Sequence, residues 1–331
     1  MPSSQNNSQH LLPVGFYDLL FDEAKKNHQN INLALDIFFA AGFNLIKTPL
    51  VEFESTISGF ANKKEQNAFH AIDTISGKNL IFRNDITPQI SRLLATRFRQ
   101  ETLPLKLCYV GDVLCAESEN LYSDRQQTQV GVEIIGCNDN EHNAEIIRVL
   151  LSVLRKIDLG KIEHKNLLIE FSCPDFLGIF LEEVMSKNDQ NHAMLHDAVM
   201  KKNISMIKKL AGKNGDIISK IALQNHNLEE LVPEISTQIK SEKIVTEIKK
   251  RLQKVEKISN AIKSFLNVEV RFDIFGDRES SYHSEISFDV FCGDFAYPIA
   301  RGGRYKISNG NENLNAVGAT IYMNRLRVCS E

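Results

Sequence analysis

The chain has 331 residues, of which 43% are hydrophobic and 24% charged, and carries a formal net charge of −3. This is the balance of a globular protein with a sizeable core, and the longest apolar runs, such as Val149–Leu154, are too short to cross a bilayer. The N-terminus, MPSSQNNSQH, lacks the basic-then-apolar order of a signal peptide. The cysteines (Cys108, Cys115, Cys137, Cys173, Cys292 and Cys329) form no CxxC pair, so they fit reduced cytoplasmic thiols better than a disulfide framework or a zinc site.

Residues 1–10, rich in Ser, Asn and Gln, read as a disordered tail. Ala24, His28, Ile31, Leu35 and Phe38 recur at helical spacing, and Gly42 should stop that helix. Phe43–Glu52 reads as one strand with Pro49 at its edge or end. Strand patterns follow at Asn79–Arg83, Leu105–Val113 and Gln129–Ile135, then a helix from about Asn140 to Ile157 and a strand at Leu167–Phe171. Helices among mostly non-crossover strands predict an α+β fold with a mainly antiparallel sheet.

Residues 174–266 read as a helical insert dividing a core of 11–173 and 267–331. Ile244, Ile248, Leu252, Val255, Ile258 and Ile262 form one apolar stripe, which is either internal core or a partner surface. Residues 186–266 hold 15 Lys/Arg against 9 Asp/Glu. Such a segment is either a solvated lysine face or an RNA contact, with Lys249, Lys250 and Arg251 the residues to neutralise in a test. Beyond the insert, strands are expected at Val268–Phe275, Ser284–Cys292 and Phe295–Ile299, the last leading into a GGRY turn. A helix beginning near Ala316 should close the chain. His192 and His196 make HxxxH without the glutamate of HExxH, a weak metal signal.

Three segments place polar residues inside strand patterns: FRNDITPQ (82–89), a stretch ending in RQQTQVGVEIIG (125–136), and 271–304 with DRESSYH and RGGRY. Gln127, Gln129 and Glu133 alternate onto one strand face. Amides beside a carboxylate suit a small ligand bearing an ammonium or N–H donor, although a solvated sheet face would read the same way.

Taken in order, these segments resemble class II aminoacyl-tRNA synthetases, specifically histidyl-tRNA synthetase and its regulatory paralogue. LPVGFYDLL (12–20), GFNLIKTPLVE (42–52), FRNDITPQISR (82–92), LCYVGDVLCAES (107–118), RQQTQVGVEIIG (125–136), GGRY (302–305) and AVGATIYMNRL (316–326) carry the resemblance. It implies a class II synthetase-like antiparallel sheet flanked by helices. It also implies histidine contacts at Asp85, Thr87, Gln129 and Glu133, with Arg278 and Tyr282 from the less well matched DRESSYH stretch.

The departures bear on function. Cys115 stands where the family's second motif has an arginine for the carboxylate and α-phosphate, and a thiol supplies neither charge nor forked hydrogen bonds. Asn324 replaces a glutamate before Arg325, and Tyr322 replaces a glycine that would admit the adenine. Asp85 is one methylene shorter than the usual glutamate, and His283 replaces a tyrosine. Glu331 follows Leu326 by five residues, so no anticodon-reading domain of the synthetase kind is expected.

The resemblance therefore implies a subunit with no catalytic residues, cofactor or metal. It would form a homodimer through the synthetase-like core and join the short-form ATP phosphoribosyltransferase catalytic subunit in a higher hetero-oligomer. It would activate the first step of histidine biosynthesis and take histidine as effector, with no tRNA or membrane partner. The rival readings are a degenerate synthetase core that still makes histidyl-adenylate, and an RNA-binding module using the basic insert.

Overall fold

The computed structural model describes residues 12–60, 67–117, 124–137, 141–157, 167–185, 191–223, 228–263, 268–276, 283–293, 295–308 and 313–330. The expected disordered tail, Arg278 and Tyr282 lie outside the described residues, as does the side chain of His283.

Helix α1 (Phe21–Ala40) buries Ala34 and Phe38. It ends where Gly42 takes φ +84°, with Phe43 N donating to Phe38 O at 3.0 Å and Gly42 N to Phe39 O at 3.0 Å. The expected strand over 43–52 is two strands in different sheets, β1 (Asn44–Ile46) and β2 (Val51–Phe53). Pro49 has no N–H for a ladder, and the Thr48 hydroxyl is bonded to Gln89 Oε1 at 2.6 Å, so the chain turns between them. A short helix, α2 (Glu54–Ile57), precedes β3 (His70–Ile72) and β4 (Asn79–Phe82), which with β2 form a small antiparallel sheet.

The main sheet comes next in sequence. After α3 (Thr87–Thr96) come β5 (Leu105–Leu114), β6 (Gln126–Ile135), α4 (Glu141–Lys156) and β7 (Leu167–Ser172). Helices α5 (Phe176–Val184), α6 (His192–Met200), α7 (Ile204–Ala211), α8 (Gly215–Leu223), α9 (Leu228–Ile239) and α10 (Glu242–Lys263) lie between β7 and β8 (Glu269–Asp273). The chain continues through β9 (His283–Cys292), β10 (Ala300–Ser308), β11 (Asn313–Tyr322) and α11 (Met323–Ser330). Strand order is β1-β5-β6-β11-β10-β9-β7-β8, antiparallel except for the edge pairs β1–β5 and β7–β8. The architecture is the expected α+β one, with strands from both sides of the helical segment pairing.

Two expectations near the end are corrected. GGRY is not a turn but the middle of β10, and residues 295–299 precede that strand instead of forming it. Residues 316–322 are not the start of a helix but the central strand β11, and the closing helix begins at Met323. Small residues sit in β10 and β11 because neighbouring strands crowd them: a Cβ on Gly318 of β11 would run into the Glu133 carboxyl, and one on Gly302 of β10 into Phe288 and the Gly318 carbonyl.

The two sheet faces differ. Val130, Val132 and Ile134 of β6 and Val317, Ala319 and Ile321 of β11 pack with α1 and α4 in the main core. The α10 stripe belongs to the same core, with Ile244, Ile248, Ile258 and Ile262 almost completely buried, so it is internal. Each such isoleucine contributes roughly 1.5–3 kcal/mol relative to exposure. Leu252 is only partly buried, and the seventh-residue partner of Ile244 on this face is Arg251. The opposite sheet face carries the odd-numbered residues of β6, and α3 covers one end of it through Ile86, Ile90 and Leu94.

Among the described residues no helix is long and apolar enough to cross a membrane.

Candidate functional site

On the α3-covered face, register lines up three rows of residues across β5, β6 and β11. Glu133 lies between Leu107 of β5 and Gly318 of β11, Gly131 between Tyr109 and Thr320, and Gln129 between Gly111 and Tyr322. Glycines at 131 and 318 are required by this packing. A Cβ on Gly131 would run into the Tyr109 ring, and one on Gly318 into Glu133.

The loop before α3 closes over these strands. Pro88 in the first turn suits the helix start. Ile86 N donates to Asp85 Oδ1 at 2.9 Å and to Gln129 Oε1 at 3.3 Å, joining two of the sequence-predicted residues through one main-chain group. Thr87 Oγ1 lies 3.5 Å from Glu133 Oε1, joining the other two. Asp85 is half-buried, whereas Thr87, Gln129 and Glu133 are at most 5% exposed.

Three residues the sequence reading passed over complete the cluster. The Tyr305 hydroxyl donates to Glu133 Oε2 at 2.6 Å, and the Tyr109 hydroxyl shares a 2.7 Å hydrogen bond with Thr320 Oγ1. Tyr305 was in view as part of GGRY, and the signal that could have found it was strand alternation. Reading 302–305 as a turn and 316–322 as helix hid the faces of β10 and β11.

Burial pushes the Glu133 carboxyl up to about 8. The Tyr305 hydrogen bond opposes this, the nearby Asp85 charge adds to it, and the Thr87 contact opposes it. Burial, with Glu133 and Asp85 next, also raises Tyr109 well above the ordinary tyrosine range. The arrangement is a buried polar cluster that offers a small ligand both donors and acceptors.

A second network fastens the loop from behind. Gln89 Nε2 donates to Pro49 O at 2.7 Å and to Glu52 Oε1 at 2.6 Å, and Arg92 Nε lies 2.7 Å from Glu52 Oε2. Arg83 donates from Nε to Asp112 O at 2.7 Å and from Nη1 to Thr48 Oγ1 at 2.9 Å. Its guanidinium occupies the space any Cβ at Gly111 would need. Residues from three motifs thus position Asp85 and Thr87.

The three departures expected to disable a nucleotide site have structural counterparts. Cys115 is half-buried at the end of β5, its N–H donating to Arg125 O at 2.7 Å. The Arg125 guanidinium packs against the rings of Phe16 and Phe69, 5.4 and 4.8 Å from their centroids. Asn324 accepts from Thr128 N at 2.8 Å and donates to Gln126 O at 3.2 Å, to Asp124 Oδ2 at 3.3 Å and to the Tyr17 hydroxyl. Arg325 is 1% exposed, its guanidinium 4.3 Å from the Tyr322 ring centroid and its Nη1 donating to Pro298 O at 2.9 Å. The tyrosine ring therefore occupies the cation's face.

The basic helical segment is ion-paired in part. Lys208 pairs with Asp216 at 2.9 Å, Lys220 with Glu234 at 2.5 Å, Lys243 with Glu183 at 2.6 Å and Lys202 with Asp273 at 2.6 Å. Arg251, one of three residues an RNA contact would use, is buried and bonded to Asp175 and Glu247. Among the described residues no group of three His, Cys, Asp or Glu side chains could hold a metal, His192 and His196 included.

With this geometry in hand, comparison with known proteins is direct. The family model described as histidyl-tRNA synthetase matches residues 15–326. A Methylobacillus flagellatus ATP phosphoribosyltransferase regulatory subunit is 30% identical over 308 residues, covering 89% of this chain and 74% of that protein. One from Rhodospirillum centenum is 27% identical over 316 residues, covering 95% and 79%. The chain belongs to the histidyl-tRNA synthetase family, among the ATP phosphoribosyltransferase regulatory subunits. The family fold is equally clear. A Bacillus halodurans ATP phosphoribosyltransferase regulatory subunit/histidyl-tRNA synthetase structure aligns with TM-score 0.79 at 22% identity, covering 98% of this chain and 84% of that one. An Alicyclobacillus acidocaldarius histidine–tRNA ligase subunit aligns with TM-score 0.78 at 20% identity, covering 96% of each.

Proposed function

We propose that this chain is a non-catalytic regulatory subunit of ATP phosphoribosyltransferase, which activates the short catalytic subunit in the first step of histidine biosynthesis and relays inhibition by histidine. The observation that carries this reading is the contrast between two clusters at the end of the sheet. Thr87, Gln129 and Glu133 converge on a buried polar floor, while the neighbouring Asn324 and Arg325 are bonded within the protein. A ligand pocket beside a filled nucleotide site suits sensing rather than adenylation. Asp85, Thr87, Gln129 and Glu133 are the proposed histidine contacts, with Arg278 and Tyr282 completing the set. The relay requires histidine to bind two states of the complex with different affinity.

A homodimer is part of this reading, and the complex is proposed to be cytoplasmic. A groove of about 940 Å³ runs between α1, β1 and β5, with the partly exposed Leu45 and Leu50 on its wall. A second copy would cover it.

The deciding experiment titrates this protein into the organism's short catalytic subunit and follows phosphoribosyl transfer with and without histidine. A saturable rise in rate, inhibited by histidine only in the complex, is expected. An unchanged rate together with no co-sedimentation would refute the proposal. The same sedimentation runs read the homodimer.

The adenylate-forming rival makes the opposite prediction for one variant. Cys115→Arg returns the missing cation, but the Tyr322 ring still covers Arg325 and Asn324 remains bonded to Tyr17, Asp124 and Thr128. Histidine-dependent ATP–pyrophosphate exchange is expected to stay at background in C115R. Measurable exchange in the unsubstituted protein would favour the synthetase reading.

A further inference from the structure

Among the described residues, Glu133 is buried without a cation beside it. From the loop before α3 it faces the Asp85 carboxyl, from α3 the Thr87 hydroxyl, and from β10 the Tyr305 hydroxyl. From β5 and β11 it faces Tyr109, hydrogen-bonded to Thr320, and from β11 the bare Cα of Gly318. Among the described residues none of these groups is positively charged. A carboxylate 2% exposed, with a second carboxyl as neighbour, is strongly disfavoured in its ionised form. Its Oε2 is held by the Tyr305 hydroxyl, and Oε1 faces Thr87 at 3.5 Å, a weak contact open to exchange.

We propose that Glu133 serves the effector pocket as a carboxylic acid, a hydrogen-bond donor that meets the unprotonated ring nitrogen of an imidazole. The inference rests on the effector-pocket reading and adds the protonation state in which the pocket works. The proton count of the bound pair is one, wherever the proton sits between oxygen and nitrogen. Free protein supplies that proton below about pH 8, and free imidazole lacks its own above about 6.5. Affinity is therefore greatest between those limits and falls on either side.

Glu133→Gln tests the idea because the amide keeps the shape and a donor but cannot ionise. Histidine affinity is measured by calorimetry from pH 7 to 9, on the full chain alone and with its catalytic partner. In the unsubstituted protein it is expected to fall about tenfold per unit above pH 8. E133Q is expected to match it within about threefold at pH 7 and to lack this fall, while sharing any contribution from the ligand's own amino group. A loss of tenfold or more in E133Q at pH 7, or parallel curves for the two proteins, overturns the donor role and leaves the pocket intact. Histidine failing to bind the unsubstituted complex at any pH overturns the effector-pocket reading and this inference with it.

A ligand-free measurement backs the first. Glu133 titrates near 8 when folded and near 4.5 when unfolded, so its contribution to stability is full below 4.5 and lost as pH rises through 8. The urea midpoint of the unsubstituted protein should fall over that interval by more than that of E133Q. Equal slopes would count against a protonated Glu133.

Discussion

Gly318→Ala should weaken effector binding strongly while leaving a folded protein. The new Cβ would project into the Glu133 carboxyl, which cannot simply rotate away because Tyr305 holds one oxygen and the pocket is buried. Overpacking of this kind costs about 1–3 kcal/mol of stability. Histidine affinity should drop by at least about tenfold, because donor and ring nitrogen no longer align. Gly178→Ala is the natural comparison: nothing lies within 4 Å of its Cβ position, and it sits inside α5. There the substitution should stabilise by about 0.5–1 kcal/mol and leave histidine binding unchanged. Calorimetry and urea unfolding read both variants. If G318A kept the parent's affinity and stability, the close packing of Gly318 on Glu133 would be wrong.

The same glycine shows what the sequence displayed and what it concealed. Long elements with one periodicity were legible: α1 to its glycine stop, α4, β5 and β6 fall within a few residues of their expected places. β11 was not legible as a strand, because Ala316, Gly318 and Ala319 interrupt the β-branched Val317, Thr320 and Ile321. Its small residues answer to Glu133 and to the neighbouring strands, which are distant in sequence. The Phe43–Glu52 run was misread for a related reason. Only the tertiary bonds of Thr48 and Arg83 send its second half into another sheet. In the candidate site, Gln129 and Glu133 stood out as polar residues in an apolar strand. Tyr305, Tyr109 and Thr320 did not, since aromatic and β-branched residues belong in strands anyway.

Arg251 was also misread, although its signal was present. Position 251 follows Ile244 by seven and Ile248 by three and precedes Val255 by four, which puts it on the buried face of α10. There its guanidinium lies 4.9 Å from the Phe176 ring centroid, donates to Asp175 Oδ2 at 3.0 Å and pairs with Glu247. Arg251→Ala removes the cation and leaves both carboxylates without it. Breaking a buried pair from one side costs about 3–5 kcal/mol; here Asp175 and Glu247 keep some access to water, so roughly 3 kcal/mol is the expected loss. Arg251→Met should recover part of it by keeping the stem over Phe176. Lys249→Ala, on the exposed side of the same helix, should stay within about 0.5 kcal/mol of the parent. Urea midpoints of the three variants decide the matter. Equal, small effects for R251A and K249A would return Arg251 to the solvated basic face, and with it the RNA reading of this segment.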